Sequence, residues 1–231
     1  MSTITLIRHG QASFGKSDYD QLSDIGYDQA RRLGVALAER EESIDTVFIG
    51  GMLRHRQTAE TCLESMGLDL PLQVLPDFSE FNHEHILEKS EPRYRDREWI
   101  IQQAMQQSVR PEEVFMQMFK ASITRWVDGQ HEQDYDETWP QFQQRVKSGL
   151  DTVAALLNQS QHALVFTSGG CISVIAQALL ELNNSATFRT NWTLANCGLT
   201  RIAQSARHRN LMSLNEYGHF SGRHHSLLTF R

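Results

Sequence analysis

Short apolar runs alternate along the chain with longer stretches whose apolar positions recur every three to four residues, the pattern of buried strands separated by one-faced helices. Thr3 to Arg8 reads as the first buried strand. A helix over Asp24 to Arg40 follows, with Ile25, Ala30, Leu33 and Leu37 at helical spacing and Ser23 placed to cap it. Ile44 to Gly50 predicts a second strand, Met52 to Met66 a helix whose inner face carries Leu53, Thr58, Cys62 and Met66, and Leu72 to Pro76 a third strand. From His83 to Asp136 the pattern changes to a long polar segment, helical where it is periodic (Trp99, Ile100, Met105; Val114, Met118, Ile123, Val127), which reads as an inserted helical lid. Thr138 to Leu157 restores an amphipathic helix. His162 to Thr167 is a strongly apolar strand that Ser168-Gly169-Gly170 turns into the helix Cys171 to Leu182, and Gly198 to Gln204 and Asn210 to Asn215 are the last strand candidates. This alternation predicts a three-layer α/β/α sandwich with a mostly parallel central sheet, one domain over residues 1–231 with 83–136 as its insertion.

The 231 residues, 40% apolar and 22% charged, are enough to bury a full core without disulfides or metal. A formal net charge of −6 argues against a nucleic-acid partner, which usually needs a broadly basic face, so any anion must meet locally focused positive charge. Cys62, Cys171 and Cys197 are widely spaced in apolar stretches and are expected to be reduced. No basic segment precedes the first strand, and the apolar stretch Ile172 to Leu182 is short and broken by Ser173, Gln177 and Glu181. A soluble cytoplasmic protein with no membrane partner is therefore expected. Nothing in the sequence specifies an oligomeric state.

The chemistry concentrates where strands end. Arg8-His9-Gly10 closes the first strand and sets a guanidinium beside an imidazole in the crevice beyond the carboxyl ends of the sheet, with Gly10 allowing close backbone approach. Leu53-Arg54-His55-Arg56-Gln57-Thr58-Ala59-Glu60 opens a helix directly after the second strand, where N–H groups and the helix dipole favour an anion. Arg56 reads as a solvated helix residue. Glu80 follows the third strand, and Gln11 and Ser13 lie on the loop after His9 as candidate substrate contacts, although loop polarity accounts for them nearly as well.

These segments, in this order, resemble the histidine phosphatase superfamily, in particular its phosphoglycerate mutase-like branch. Leu22-Ser23-Asp24-Ile25-Gly26 is similar to that family's helix start, and Arg8, His9, Arg54 and Glu80 fall on its motifs. The resemblance implies a phosphoric monoester hydrolase acting on a small-molecule phosphomonoester without metal or cofactor. His9 would form a phosphohistidine, Arg8 and Arg54 would clamp the nonbridging oxygens, and Glu80 would serve as proton donor and then acceptor. A phosphoglycerate mutase-type transfer is the nearest variant.

One position departs from the pattern. Ser168 stands where the family places a second histidine, which also opens the reading of a weakly active phosphate-ligand sensor or protein-binding member. Ser168-Gly169-Gly170, at a helix start, would offer a hydroxyl and consecutive N–H groups to an anion, and His83 or His219 would be the histidines to reach in. A metal-site reading of His83-Glu84-His85 and His224-His225 is weak, because no further ligands follow at suitable intervals.

Overall fold

A computed structural model describes residues 1–13, 20–205 and 208–230. Its strands are β1 (Ser2–Arg8), β2 (Thr46–Ile49), β3 (Leu72–Val74), β4 (His162–Thr167), β5 (Leu199–Gln204) and β6 (Arg209–Glu216), joined in one sheet in the order β3-β2-β4-β1-β5-β6. β1, β2, β3 and β4 pair in parallel, while β5 runs antiparallel to both β1 and β6. The interior strands are the most apolar. Ile4, Leu6 and Ile7 of β1 and Ala163 to Thr167 of β4 are fully buried, as expected of strands covered on both faces.

The helices are α1 (Asp24–Ala38), α2 (Leu53–Met66), α3 (His83–Ser90), α4 (Arg97–Gln107), α5 (Pro111–Val127), α6 (Trp139–Leu156), α7 (Gly169–Leu180) and α8 (Asn184–Thr193). Ser23 caps α1 by accepting from Gly26 N, and Gly34 lets α1 settle on α2, since a Cβ there would stand 2.3 Å from Cys62 O. The three cysteines are free and buried.

Several elements differ from the sequence reading. Leu53, assigned to an inner face, and Ile25, counted among the apolar residues at helical spacing, are exposed; α2 instead begins its buried face with Arg54 and His55. The third strand stops at Val74 because Pro76, which cannot donate to a ladder, starts a single tight helical turn over Pro76–Phe78. α7 starts at Gly169 rather than Cys171, and α8, capped by Asn183, lacks a strong apolar stripe and was not anticipated.

Two compact units emerge, residues 1–80 with 145–231, and residues 81–144. The first carries the sheet with α1, α2, α7 and α8. The second has its own aromatic core, in which Trp126 packs 5.1 Å from Phe81 and 5.3 Å from Trp139 between ring centroids, and Trp126 Nε1 donates to Glu137 O at 2.8 Å. Val114 and Ile123 of α5 are buried there, whereas Met105 of α4 is 74% exposed. No helix among the described residues is long and apolar enough to cross a membrane.

Candidate active site

Parallel pairing of β1 with β4 sets Arg8 opposite Thr167, so the residues just beyond, His9 and Ser168, leave the sheet side by side. His9 N donates to Thr167 O at 2.9 Å, and Asn196 Nδ2 holds His9 O at 3.0 Å. The imidazole is fixed at both nitrogens. Nδ1 lies 2.7 Å from Gly10 O and must carry the proton to bond there, which leaves the Nε2 lone pair to accept from Arg54 Nε at 3.2 Å. Burial first, then the charges of Arg54 and Arg8 and the nearby His55, hold the ring well below the usual imidazole range, so it is neutral at neutral pH.

Arg54 is almost fully buried and braced by Asp20, whose Oδ1 accepts from Arg54 Nη1 at 2.7 Å and whose Oδ2 accepts from Leu53 N at 2.8 Å. One carboxylate thus satisfies an open N–H at the start of α2 and orients the guanidinium. Arg8 Nη1 donates to the carbonyls of Leu194 and Phe230. Glu80 sits at the start of α7, where its Oε2 accepts from Gly170 N at 3.0 Å. Its loop is fixed by Arg145 Nη1, which donates to Asp77 O at 2.8 Å and Ser79 O at 2.9 Å, and by Thr167 Oγ1 donating to Phe78 O at 2.7 Å.

The expected roles of the remaining residues change in detail. Ser168 and Gly170 do not form an open anion nest: Ser168 Oγ is 2.7 Å from His55 Nε2, and the Gly170 N–H is held by Glu80. Gly169 makes room for Asn191, because a Cβ there would stand 2.4 Å from Asn191 Oδ1. Gly10 is required by its own loop, since its Cβ would meet Gly26 O at 2.5 Å, and its N–H donates to Thr58 Oγ1. Gln11 and Ser13 commit their side chains to the scaffold: Gln11 Oε1 accepts from Ser23 Oγ, and buried Ser13 donates to Leu22 O. His219 is buried beside Phe220, with Arg40 and Arg32 as charged neighbours, and burial above all pushes it down to about 4. His83 belongs to the second unit, where it opens α3 with its ring 6.4 Å from that of Phe119. No three His, Cys, Asp or Glu side chains among the described residues gather so as to hold a metal ion.

Two residues of this cluster were missed in the sequence. His55 has its ring centroid 5.7 Å from that of His9 and is fully buried. Its signal was present: extending the buried positions Cys62 and Thr58 back by one helical turn leads to His55 and Arg54, not to Leu53. Asp20 gave no signal, as an acidic residue in a polar loop.

A strand-end histidine hydrogen-bonded to a buried arginine and a glutamate hydrogen-bonded at a helix start stand at the ends of the parallel strands, and comparison with known proteins gives the class. The pattern of the histidine phosphatase superfamily (branch 1) matches residues 4–114 and 109–217, and the chain belongs to this superfamily. A curated relative, a 2,3-bisphosphoglycerate-dependent phosphoglycerate mutase from Azorhizobium caulinodans, is 32% identical over 71 residues; the match spans 28% of this chain and 34% of that protein. Among solved structures, a phosphoglycerate mutase from Bacillus anthracis superposes with a TM-score of 0.64 at 18% identity over 94% of each chain. A phosphoserine phosphatase mutant from Entamoeba histolytica, in complex with phosphoserine, gives 0.63 at 16% identity over 95% of this chain and 99% of that one. These structures share the α/β fold.

Proposed function

We propose that the protein is a metal-independent phosphoric monoester hydrolase that works through a phosphohistidine on His9. The observation that carries this reading is the state of that imidazole: neutral, with Nδ1 tied to Gly10 O and its Nε2 lone pair beside the Arg54 guanidinium. A neutral histidine held as one tautomer is a ready nucleophile. Nε2 attacks phosphorus, the ester P–O bond breaks, and Glu80 protonates the leaving alkoxide. Glu80, now a carboxylate, then takes a proton from water as that water attacks phosphorus, the P–N bond breaks and inorganic phosphate leaves. Arg8 and Arg54 neutralise the nonbridging oxygens through both half-reactions, a task suited to planar, multidentate guanidinium groups. The substrate is a small phosphomonoester, and no cofactor takes part.

Phosphate release from a panel of phosphomonoesters tests this with wild type, His9→Ala and Glu80→Gln. Wild type turns over, His9→Ala falls to background, and Glu80→Gln slows alkyl esters by about 10²- to 10⁴-fold while sparing aryl esters whose leaving group needs no proton. Turnover by His9→Ala at the wild-type rate would remove the proposal. Phosphoryl return to substrate in place of phosphate release would convert it to the mutase reading, which the short match to a mutase favours.

A further inference from the structure

Glu80 ends a short run, Pro76 to Ser79, whose four consecutive carbonyls all accept from side chains. Arg145 Nη1 donates to Pro76 O at 3.2 Å, Asp77 O at 2.8 Å and Ser79 O at 2.9 Å. Thr167 Oγ1 donates to Phe78 O at 2.7 Å, and Cys171 Sγ to Ser79 O at 3.3 Å. Carbonyls at the end of a helical turn carry partial negative charge, and here one guanidinium gathers three of them. Gly149, one helical turn after Arg145 on α6, lets that helix lie against the same run, since a Cβ there would stand 2.7 Å from Asp77 Cβ. Ser79 is held at its side chain too, where Oγ accepts from Gly51 N at 2.9 Å. The chain then leaves the first compact unit: Glu80 is that unit's last residue before the second begins, and Arg145 is its first on return. The Arg145 bonds join the points of departure and return within the first unit.

We infer that Arg145 is a positioning residue for proton transfer: by holding Ser79 O it sets the peptide plane that leads into Glu80, and with it the direction from which the carboxyl group meets the leaving oxygen. The inference rests on the phosphohistidine reading, in which Glu80 protonates the leaving alkoxide. In this role Arg145 touches neither substrate nor reacting atoms, and it reaches the reaction through Glu80 alone. The glutamate is then fixed at both ends, its backbone by the clamp on Ser79 and its Oε2 by Gly170 N at 3.0 Å. Placement of this kind matters to a general acid, which must come within hydrogen-bond reach of the atom it protonates.

Leaving-group dependence separates this role from a packing one. The experiment measures kcat/KM for an alkyl phosphate, whose leaving oxygen needs a proton, and for p-nitrophenyl phosphate, whose leaving oxygen does not. Wild type is compared with Glu80→Gln, Arg145→Ala, Arg145→Lys and Glu80→Gln/Arg145→Ala. Arg145→Ala is expected to lose about 10- to 10²-fold on the alkyl ester and less than about threefold on the aryl ester. Arg145→Lys keeps a cation at the turn, so it should recover part of the alkyl rate, and it carries the same comparison if the alanine variant does not fold. The double variant should turn over the alkyl ester no more slowly than Glu80→Gln alone, because the arginine acts only through that carboxyl group. Equal losses on both esters, no loss on either, or losses that add in the double variant would overturn the inference. Glu80→Gln tells the two failures apart. If it slows both esters alike, the proton-donor assignment fails and this inference with it; if it discriminates between them while the Arg145 variants do not, the positioning role alone fails.

Discussion

His9 illustrates how much one buried ring can be told to do by its neighbours. Burial and the two arginines lower its affinity for a proton, so the acid limb that His9 imposes on kcat/KM should lie well below pH 6.5; an inflection near 6.5 that persists when the other titratable groups of the site are replaced would contradict this assignment. The same sign governs stability. His219 is lowered to about 4 in the folded chain, so its stabilising contribution is present above its unfolded value near 6.5 and is lost as pH falls through 4. Urea midpoints measured from pH 7 to pH 4 should therefore fall less steeply in His219→Gln than in wild type, and parallel curves would refute the assignment. Arg54 depends on Asp20 for its aim, so Asp20→Asn should reduce kcat by about tenfold, and Arg54→Lys, which loses both the bond to His9 and the fork geometry, by about 10²-fold or more. Asp20 was silent in the sequence because a loop aspartate looks the same whether it braces an arginine or meets water.

At the scale of elements, period and polarity located the interior strands and α1, α2, α6 and α7 because each buries an apolar face against another layer, while the edge strands β3 and β6, with no buried residue, were marked by short apolar-rich runs alone. Two failures have a physical cause. α8 is held by its Asn183 cap and by packing on α7, with little apolar periodicity to reveal it. The first turn of α2 reverses hydrophobic expectation: Arg54 and His55 turn inward and Leu53 outward, because that end of the helix faces polar partners, His9 and Ser168, rather than the core. α1 and α2 touch through Gly34, whose added Cβ would collide with Cys62 O and the Ser65 side chain. Gly34→Ala should accordingly destabilise the fold by about 1–3 kcal/mol, and because α2 carries Arg54 and His55 it should also lower kcat. A chemical-denaturation midpoint equal to wild type would show that the two helices are not so closely set.

In the molecule as a whole, residues far apart in sequence converge because parallel strands deliver their carboxyl ends to one edge of the sheet. β1 brings Arg8 and His9, β4 brings Ser168, the helix after β2 brings Arg54 and His55, and the loop after β3 brings Glu80. The strand-end motifs were legible because each stands directly after an apolar run. The partnership of His55 with Ser168 was not, since 113 residues separate them and only folding makes the contact. The serine that reads in sequence as a lost histidine is, in the fold, hydrogen-bonded to another one. On the proposed transfer by an imidazole and two guanidinium groups, prolonged dialysis against EDTA should leave turnover unchanged.

The most direct measurement is rapid acid-free quenching of wild type during turnover of a phosphomonoester carrying labelled phosphorus, followed by peptide mapping. The account predicts a phosphoryl group on His9, labile in acid and stable in alkali, that forms and decays as fast as product appears and is absent from His9→Ala. Full turnover with label on no residue, or on any residue other than His9, would contradict it.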